Sequence, residues 1–314
     1  MPSVPAGKSW STALSWVWRL LGVAVAIGCV VFLWRYPWGA SLRAMGAANL
    51  AWVGAALLAR ACAVAARAER SYAMLGAQTS AGRVMFARYT LCRLASDNLL
   101  AAWSGIGVFT WLLVRHGGAR VSSVAGALVL EKSLDIAAVA CGLGAVVHWR
   151  LLPLGWSEPG FMTTLGLGIA VLVAAIAWGR LAPQSRIGRA VQPAAVAFGP
   201  ALQGLRVVVL TLVVWTCEGL VLAFSMRATG LHLEPLQVVM FTVVAVMAFL
   251  VPGVPSGAGT VEAGIAAGMK VIGVDEVQAL TAALVYHAVQ VVPETMAGLL
   301  AMRGLGVGLR RRDA

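Results

Sequence analysis

Long apolar runs separated by short polar stretches recur along the chain. About 20 consecutive apolar residues, rising 1.5 Å each, cover the ~30 Å hydrocarbon core of a bilayer, so runs of this length predict crossing helices. Six are readable, near 17–34, 45–66, 121–147, 161–179, 205–226 and 277–302. Two further apolar regions do not read as simple spans. Residues 72–114 are interrupted by Arg83, Arg88, Arg93, Asp97, Asn98, Gly105 and Gly107. Residues 236–270 contain Phe249-Leu-Val-Pro-Gly-Val-Pro-Ser-Gly-Ala-Gly-Thr-Val-Glu262-Ala-Gly, with two prolines, several glycines and a carboxylate between apolar flanks. Backbone that leaves the helix at membrane depth survives only where protein or a water-filled cavity surrounds it, so a broken helix of this kind marks a candidate path for substrate.

Composition agrees with the pattern: 60% of residues are hydrophobic, 11% are charged and mean hydropathy is +0.86. These values exclude a soluble domain and predict an all-α polytopic membrane protein. No stretch between apolar runs approaches the ~50 residues a separate catalytic domain needs, so residues 1–314 read as one membrane unit. The five cysteines, Cys29, Cys62, Cys92, Cys141 and Cys217, are scattered singly without metal-ligand or CxxC spacing and read as small apolar packing residues. No cofactor or metal is expected. The net charge of +12 does not point to nucleic acid, because lysine and arginine cluster at the ends of apolar segments, where they act as topology signals.

Those charges decide how the two irregular regions are threaded. If each crossed once, the Arg-rich loop 180–206 and the Arg-rich stretch 67–88 would fall on opposite sides. If each instead enters and leaves on one face, 72–114 from inside and 236–270 from outside, the conflict disappears. Arg67, Arg70, Arg83, Arg88 and Arg93 then join residues 1–16, Arg206 and the basic tail 303–314 in the cytoplasm. Lys8 and Arg19 lie ahead of Leu20 to Trp34, which resembles a signal anchor and, with no small-x-small cleavage site in the Arg35-Tyr-Pro-Trp that follows, is expected to stay as the first span. The expected architecture is six full crossings plus two re-entrant helical hairpins from opposite faces, a pattern that suggests an inverted repeat. Eight plain spans are the alternative, and 72–88 also fits an amphipathic surface helix.

Ionisable residues inside apolar runs cost about 2.5–3.5 kcal/mol each at a helix centre and need a reason to be there. Glu131, Lys132 and Asp135 share one helical face, where a cation can neutralise neighbouring carboxylates. They fit either a packing ion pair or a headgroup or proton site. Thr211, Trp215, Glu218 and Ser225 form a stripe with Glu218 as its lone charge. His287, Gln290 and Glu294 form another beside Pro293 and fit a cavity wall, although His287 alone also fits a satisfied interior histidine. The helix restarting around Ala258 to Thr260 points its amide N–H groups inward. With Ser256, Gly257, Gly259 and Thr260 it would seat a phosphate or carboxylate. Glu262, in its first turn, either stabilises the helix start or binds a cationic headgroup, a proton or a coupling ion. Gly264 and Gly268 have the spacing of close helix packing.

The run Pro255-Ser-Gly-Ala-Gly-Thr-Val-Glu262-Ala-Gly, with Gly273-Val, the Ala279 to Pro293 span, Glu294 and Gly298, resembles the C-terminal signature of the lysylphosphatidylglycerol synthase transmembrane family of flippase-like proteins. Glu131-Lys132-x-x-Asp135 is similar to that family's acidic-basic-x-x-Asp motif, and Asp97-Asn98-Leu-Leu to its Asn-containing segment before the first hairpin. Where the family commonly continues with a Pro-Gly stretch and a Gly-Glu-x-x-Arg run, this chain has Ala101-Ala-Trp-Ser-Gly-Ile-Gly-Val-Phe-Thr-Trp111. The aminoacyl-transferring domain that some members carry is missing, so no aminoacyl-lipid synthesis is expected. The resemblance implies movement of a polar lipid between leaflets.

The expected protein is therefore a non-enzymatic, flippase-like transporter of the bacterial inner membrane, with both termini cytoplasmic and membrane lipids as its partners. It has no nucleotide-binding motif. Lipid-biosynthesis enzymes and a second copy of the chain are further candidate partners. An intramembrane enzyme using Glu131 and Asp135, or a scaffold whose charges only pack, are the competing readings.

Overall fold

In the computed structural model, residues 38–100, 104–148, 184–249 and 255–305 are described, together with Val31 and Trp34. Apart from Val31 and Trp34, the span expected at 17–34 lies outside the described residues, as do the span expected at 161–179, Lys8, Arg19 and the tail beyond 305. Within them the chain is helical, without strands: α1 (Trp38–Gly46), α2 (Leu50–Leu75), α3 (Arg83–Leu99), α4 (Ser104–Gly117), α5 (Val121–His148), α6 (Arg186–Phe198), α7 (Ala201–Ala228), α8 (Pro235–Phe249), α9 (Thr260–Val271) and α10 (Glu276–Gly304). Short 3-10 turns occupy Gly76–Gln78 and Pro255–Gly257.

Length sorts these helices into two kinds. With 26, 28, 28 and 29 residues, α2, α5, α7 and α10 reach about 39–44 Å, enough to cross a bilayer. By both length and apolar composition, Leu50–Gln78 and Ala201–Ala228 qualify as spans. The arms α3, α4, α8 and α9 have 17, 14, 15 and 12 residues, so they reach only about 18–26 Å and stop short of a ~30 Å core.

The short helices pair into two hairpins, each closing on the side it came from. In the first, Phe86 of α3 packs against Phe109 of α4, and the Ser80 amide donates to the Gly117 carbonyl at 2.9 Å, joining the point of entry to the point of exit. In the second, a Cβ added at Gly264 would lie 3.2 Å from Val244, and one at Gly268 2.7 Å from Phe241. Together with the Thr260 hydroxyl, which donates to the Ala248 carbonyl, these contacts align α9 antiparallel to α8. Gly264 and Gly268 thus serve the close packing their spacing suggests.

The hairpins come from opposite ends of the bundle. At one end the Asn49 amide donates to Ala228 O and the Gln278 side chain to Thr229 O, gathering the start of α2, the end of α7, the start of α10 and the base of the second hairpin. At the other end the Gln203 side chain donates to Ala73 O, and Arg206 pairs with Glu69. There Met74, Leu75, Phe86, Phe109 and Leu113 form an apolar core under the base of the first hairpin. A second core around Phe241, Ile265, Met269 and Ala283 lies under the base of the other. The order long helix, hairpin, long helix therefore occurs twice, as α2 to α5 and α7 to α10, with the second unit inverted. The two tips approach one another, since α3 packs against the turn Pro255–Gly257.

Several boundaries differ from expectation. The first long helix continues nine residues past the expected end, to Leu75, because its alanine-rich face keeps packing on α7; the first hairpin therefore starts at Arg83 and not at residue 72. Residues 83–88 accordingly belong to an arm of the hairpin and not to a separate surface helix. Part of the expected loop 180–206 is α6, which lies so close to α5 that a Cβ at Gly126 would collide with the Pro193 backbone.

Candidate functional site

Three polar clusters occupy the interior where the long helices meet the hairpin tips. The first joins α2, α7 and α10. Arg60 lies 2.5 Å from Glu218 and 2.6 Å from Glu294, and Arg67 lies 2.7 Å from the same Glu218 oxygen. Gln290 donates to the other Glu218 oxygen at 3.1 Å and to Tyr286 Oη at 2.8 Å. Arg60, Glu218, Gln290 and Glu294 are all buried. Arg60 and Glu218 stand ten residues from the ends of α2 and α7 that meet at Asn49 and Ala228, about 15 Å into the bundle, which is half a hydrocarbon core. Two cations and two carboxylates make this cluster neutral.

The second cluster joins α2, α3 and α5. Arg93 lies 2.8 Å from Glu131 and over the Phe109 ring. Arg70 lies 2.8 Å from Asp135 and 3.6 Å from Glu131, and donates to the Thr211 hydroxyl at 3.1 Å. Lys132 lies 3.8 Å from Glu131 and 3.6 Å from Asp135. The single cation expected to serve both carboxylates is therefore the most distant of three. Because α2 runs on past residue 66 and α3 enters the bundle, two guanidiniums reach these carboxylates first.

The third cluster lies at the break. The chain turns at Pro255–Gly257, with Ser256 at φ 52°, and Gly257 and Gly259 also have positive φ. That conformation suits glycine but strains serine, at about 1–3 kcal/mol for a non-glycine residue. The Thr260 hydroxyl contacts the Ala248 and Gly257 carbonyls. One Glu262 oxygen accepts from the Gly259 amide at 2.7 Å, and the other lies 2.5 Å from His287 Nδ1. His287 Nε2 lies 3.0 Å from the Ser256 carbonyl. The chain's own carboxylate thus takes one of the inward-pointing amides. Glu262 thus stabilises the helix start and also faces the His287 ring.

At the opposite tip, Asp97 accepts from the Gly105 amide at 2.8 Å, and Asn98 donates to Thr295 Oγ1 at 3.2 Å. Asp97 holds its own hairpin turn together, whereas Asn98 binds the first hairpin to α10.

Every candidate from the sequence is thereby located. Glu218, Gln290 and Glu294 converge; Glu131, Lys132 and Asp135 converge; Ser256, Gly257, Gly259, Thr260, Glu262 and His287 converge; and Asp97 and Asn98 sit at a tip. Of the Glu218 stripe, the Trp215 indole N–H and the Ser225 hydroxyl are buried and make no hydrogen bond.

Some arginines expected at the cytoplasmic surface turn inward. Arg70 and Arg93 are buried counter-ions and not cytoplasmic topology signals, and Arg67 reaches inward to Glu218 with its side chain 26% exposed. A signal existed: Arg60, Arg67 and Arg70 share a face at steps of seven and three, which becomes visible once the apolar run is extended through Tyr72-Ala-Met-Leu75. Of the cysteines, Cys62, Cys92, Cys141 and Cys217 are free, and Cys29 lies outside the described residues.

No group of three or more metal-ligating side chains that could hold an ion occurs among the described residues. No match is found among curated proteins. A family model, the lysylphosphatidylglycerol synthase TM region, matches residues 19–298 and so takes in both hairpins and all three clusters. The chain therefore belongs to the lysylphosphatidylglycerol synthase TM region family.

Proposed function

We propose that this membrane protein is a flippase-like transporter that carries a polar lipid, or a lipid-linked headgroup, between the leaflets of a bacterial inner membrane. Both termini lie in the cytoplasm and no chemical step is catalysed. The observation that carries the reading is the meeting of two half-crossing hairpins, from opposite faces, beside a mid-depth ion network. Irregular backbone and paired charges at that depth are the features that transport sites use.

Two network cations reach an exposed surface, with Arg67 26% and Lys132 36% exposed at the side chain. An anionic headgroup would exchange with Glu218 or Asp135 at these two cations while its tails stay in lipid. Glu262, His287, Ser256, Gly257, Gly259 and Thr260 would gate the route. Glu131, Gln290 and Glu294 would balance charge along it, and Asp97 and Asn98 would hold the facing tip.

The test is reconstitution into vesicles bearing a headgroup-labelled anionic phospholipid, with label accessibility read against time. The expected result is lipid movement that falls about tenfold or more in Glu262→Gln and in Arg67→Ala/Lys132→Ala, with the fold retained. Movement no faster than in protein-free vesicles would sink the reading.

One observation favours a second reading, a scaffold for lipid or polysaccharide assembly: each interior carboxylate of the first two clusters already has a cation within 3 Å. Under that reading the substitutions alter assembly and leave vesicle lipids where they are.

A further inference from the structure

We propose that Glu262 and His287 form a proton-binding site, and that the bound proton ties the tip of the second hairpin to α10. Its use in driving transport rests on the function proposed above, whereas its chemistry does not.

The site holds more acceptors than a neutral histidine has donors. His287 has two ring nitrogens, and each faces an oxygen: Nδ1 lies 2.5 Å from Glu262 Oε1 and Nε2 lies 3.0 Å from the Ser256 carbonyl. The carbonyl can only accept, and the other oxygen of Glu262 already accepts from the Gly259 amide at 2.7 Å. A neutral imidazole carries a single N–H. With that hydrogen on Nε2 for Ser256, a bare Nδ1 lone pair would face a carboxylate oxygen at 2.5 Å; with it on Nδ1 for Glu262, a bare Nε2 lone pair would face the Ser256 carbonyl oxygen at 3.0 Å. One proton beyond neutral histidine plus ionised glutamate completes the site. It sits either on Nδ1, as imidazolium beside carboxylate, or on Oε1, as a neutral acid donating to the ring. The pair has no net charge in either form, which suits its burial.

The surroundings leave this count unchanged. The Thr260 hydroxyl contacts the Ala248 and Gly257 carbonyls, and the Phe249 ring meets His287 edge-on at 5.8 Å. On α10, Tyr286 and Gln290 bond to each other, Gln290 bonds Glu218, and Glu294 pairs with Arg60 of α2. Arg67 of α2 pairs with Glu218 of α7. On α3, which packs against the turn, Asp97 accepts from Gly105 and Asn98 bonds Thr295.

When the proton leaves to water, the pair gains one negative charge and His287 retains one N–H for two acceptors. Either Ser256 or Glu262 is released. The tip held at Ser256 with φ 52° then loses an anchor, so proton occupancy is linked to whether the second hairpin stays fixed to α10. Glu262→Gln makes a sharp probe. Its amide would donate to Nδ1 while its carbonyl accepts from Gly259, which satisfies every contact without the additional proton.

The experiment uses the full chain in lipid nanodiscs with 15N-histidine, assigning His287 by comparison with His287→Gln, alongside infrared difference spectra of the Glu262 carboxyl assigned with Glu262→Gln. At neutral pH the expected result is a His287 ring protonated on both nitrogens, or else a protonated carboxyl band that vanishes in E262Q. Alkaline titration should remove that signature with release of one proton per chain, and E262Q should not release it. A singly protonated His287 beside an ionised Glu262 in the folded protein at neutral pH overturns the proposal, whether or not lipid moves. In vesicles, an imposed pH gradient should change the wild-type rate about tenfold, within the usual range of coupling between sites, and leave E262Q unresponsive. A spectroscopic proton in a protein that moves no lipid supports the site and removes the transport reading instead.

Discussion

Arg93, on the first hairpin, lies 2.8 Å from Glu131 on the long helix that follows it. The inverted second unit repeats this relationship with the signs exchanged, its hairpin carrying the acid Glu262 and its long helix the base His287, 2.5 Å apart. Each hairpin is therefore tied to its own long helix by a buried pair at mid-depth. Such a pair is costly to break and contributes little against an apolar replacement, so its value lies in fixing which surfaces meet.

Removing Arg60 tests the central network. Arg60→Met leaves Glu218 with Arg67 but takes away the cation of Glu294, and stability should fall by about 3–5 kcal/mol, the cost of a buried charge without its partner. Thermal or denaturant unfolding in detergent measures this. Arg60→Met/Glu294→Gln should recover part of the loss, and strictly additive single effects would show that the two residues are uncoupled.

Close approach at the first tip gives a paired prediction. A Cβ at Gly105 would collide with the Arg93 carbonyl, whereas one at Gly107 meets nothing within 4 Å. Gly105→Ala should destabilise by about 1–3 kcal/mol through overpacking, and Gly107→Ala should leave the unfolding midpoint nearly unchanged. Equal effects at both positions would contradict the described hairpin.

Asp97→Ala removes the acceptor of the Gly105 amide at the same tip. A buried donor left without a partner costs about 1–3 kcal/mol, so the amides of residues 104–106 should exchange hydrogen faster while those of α7 keep their protection.

Topology can be read with impermeant thiol reagents in a variant whose five native cysteines are replaced. Ser80→Cys and Arg120→Cys flank the first hairpin and should label from one side. Glu234→Cys and Lys270→Cys flank the second and should label from the other. Opposite sidedness within either pair would mean that the hairpin crosses.

The break at Pro255 to Thr260 was legible because proline and glycine have few other uses at membrane depth, and the half-length arms followed from apolar runs too interrupted to span. The partners were harder to read. Arginines are the usual markers of the cytoplasmic end, so Arg70 and Arg93 read as surface residues, and only the continuation of α2 to Leu75 and the entry of α3 into the bundle bring them inside. Which carboxylate an arginine meets depends on packing between helices distant in sequence, 38 residues for Arg93 and Glu131, 65 for Arg70 and Asp135 and 158 for Arg60 and Glu218, and local spacing carries no record of that.

Gly298 lies against the backbone of α3, where a Cβ would collide with the Leu91 carbonyl and with Ala95. Eleven residues earlier on the same rod, about 16 Å away, His287 touches the opposite tip. A helix braced at both points behaves as a beam, and tilting it to loosen its seat on one hairpin presses it harder on the other. The two half-length arms are thereby coupled mechanically through a single rod, although they share few direct contacts.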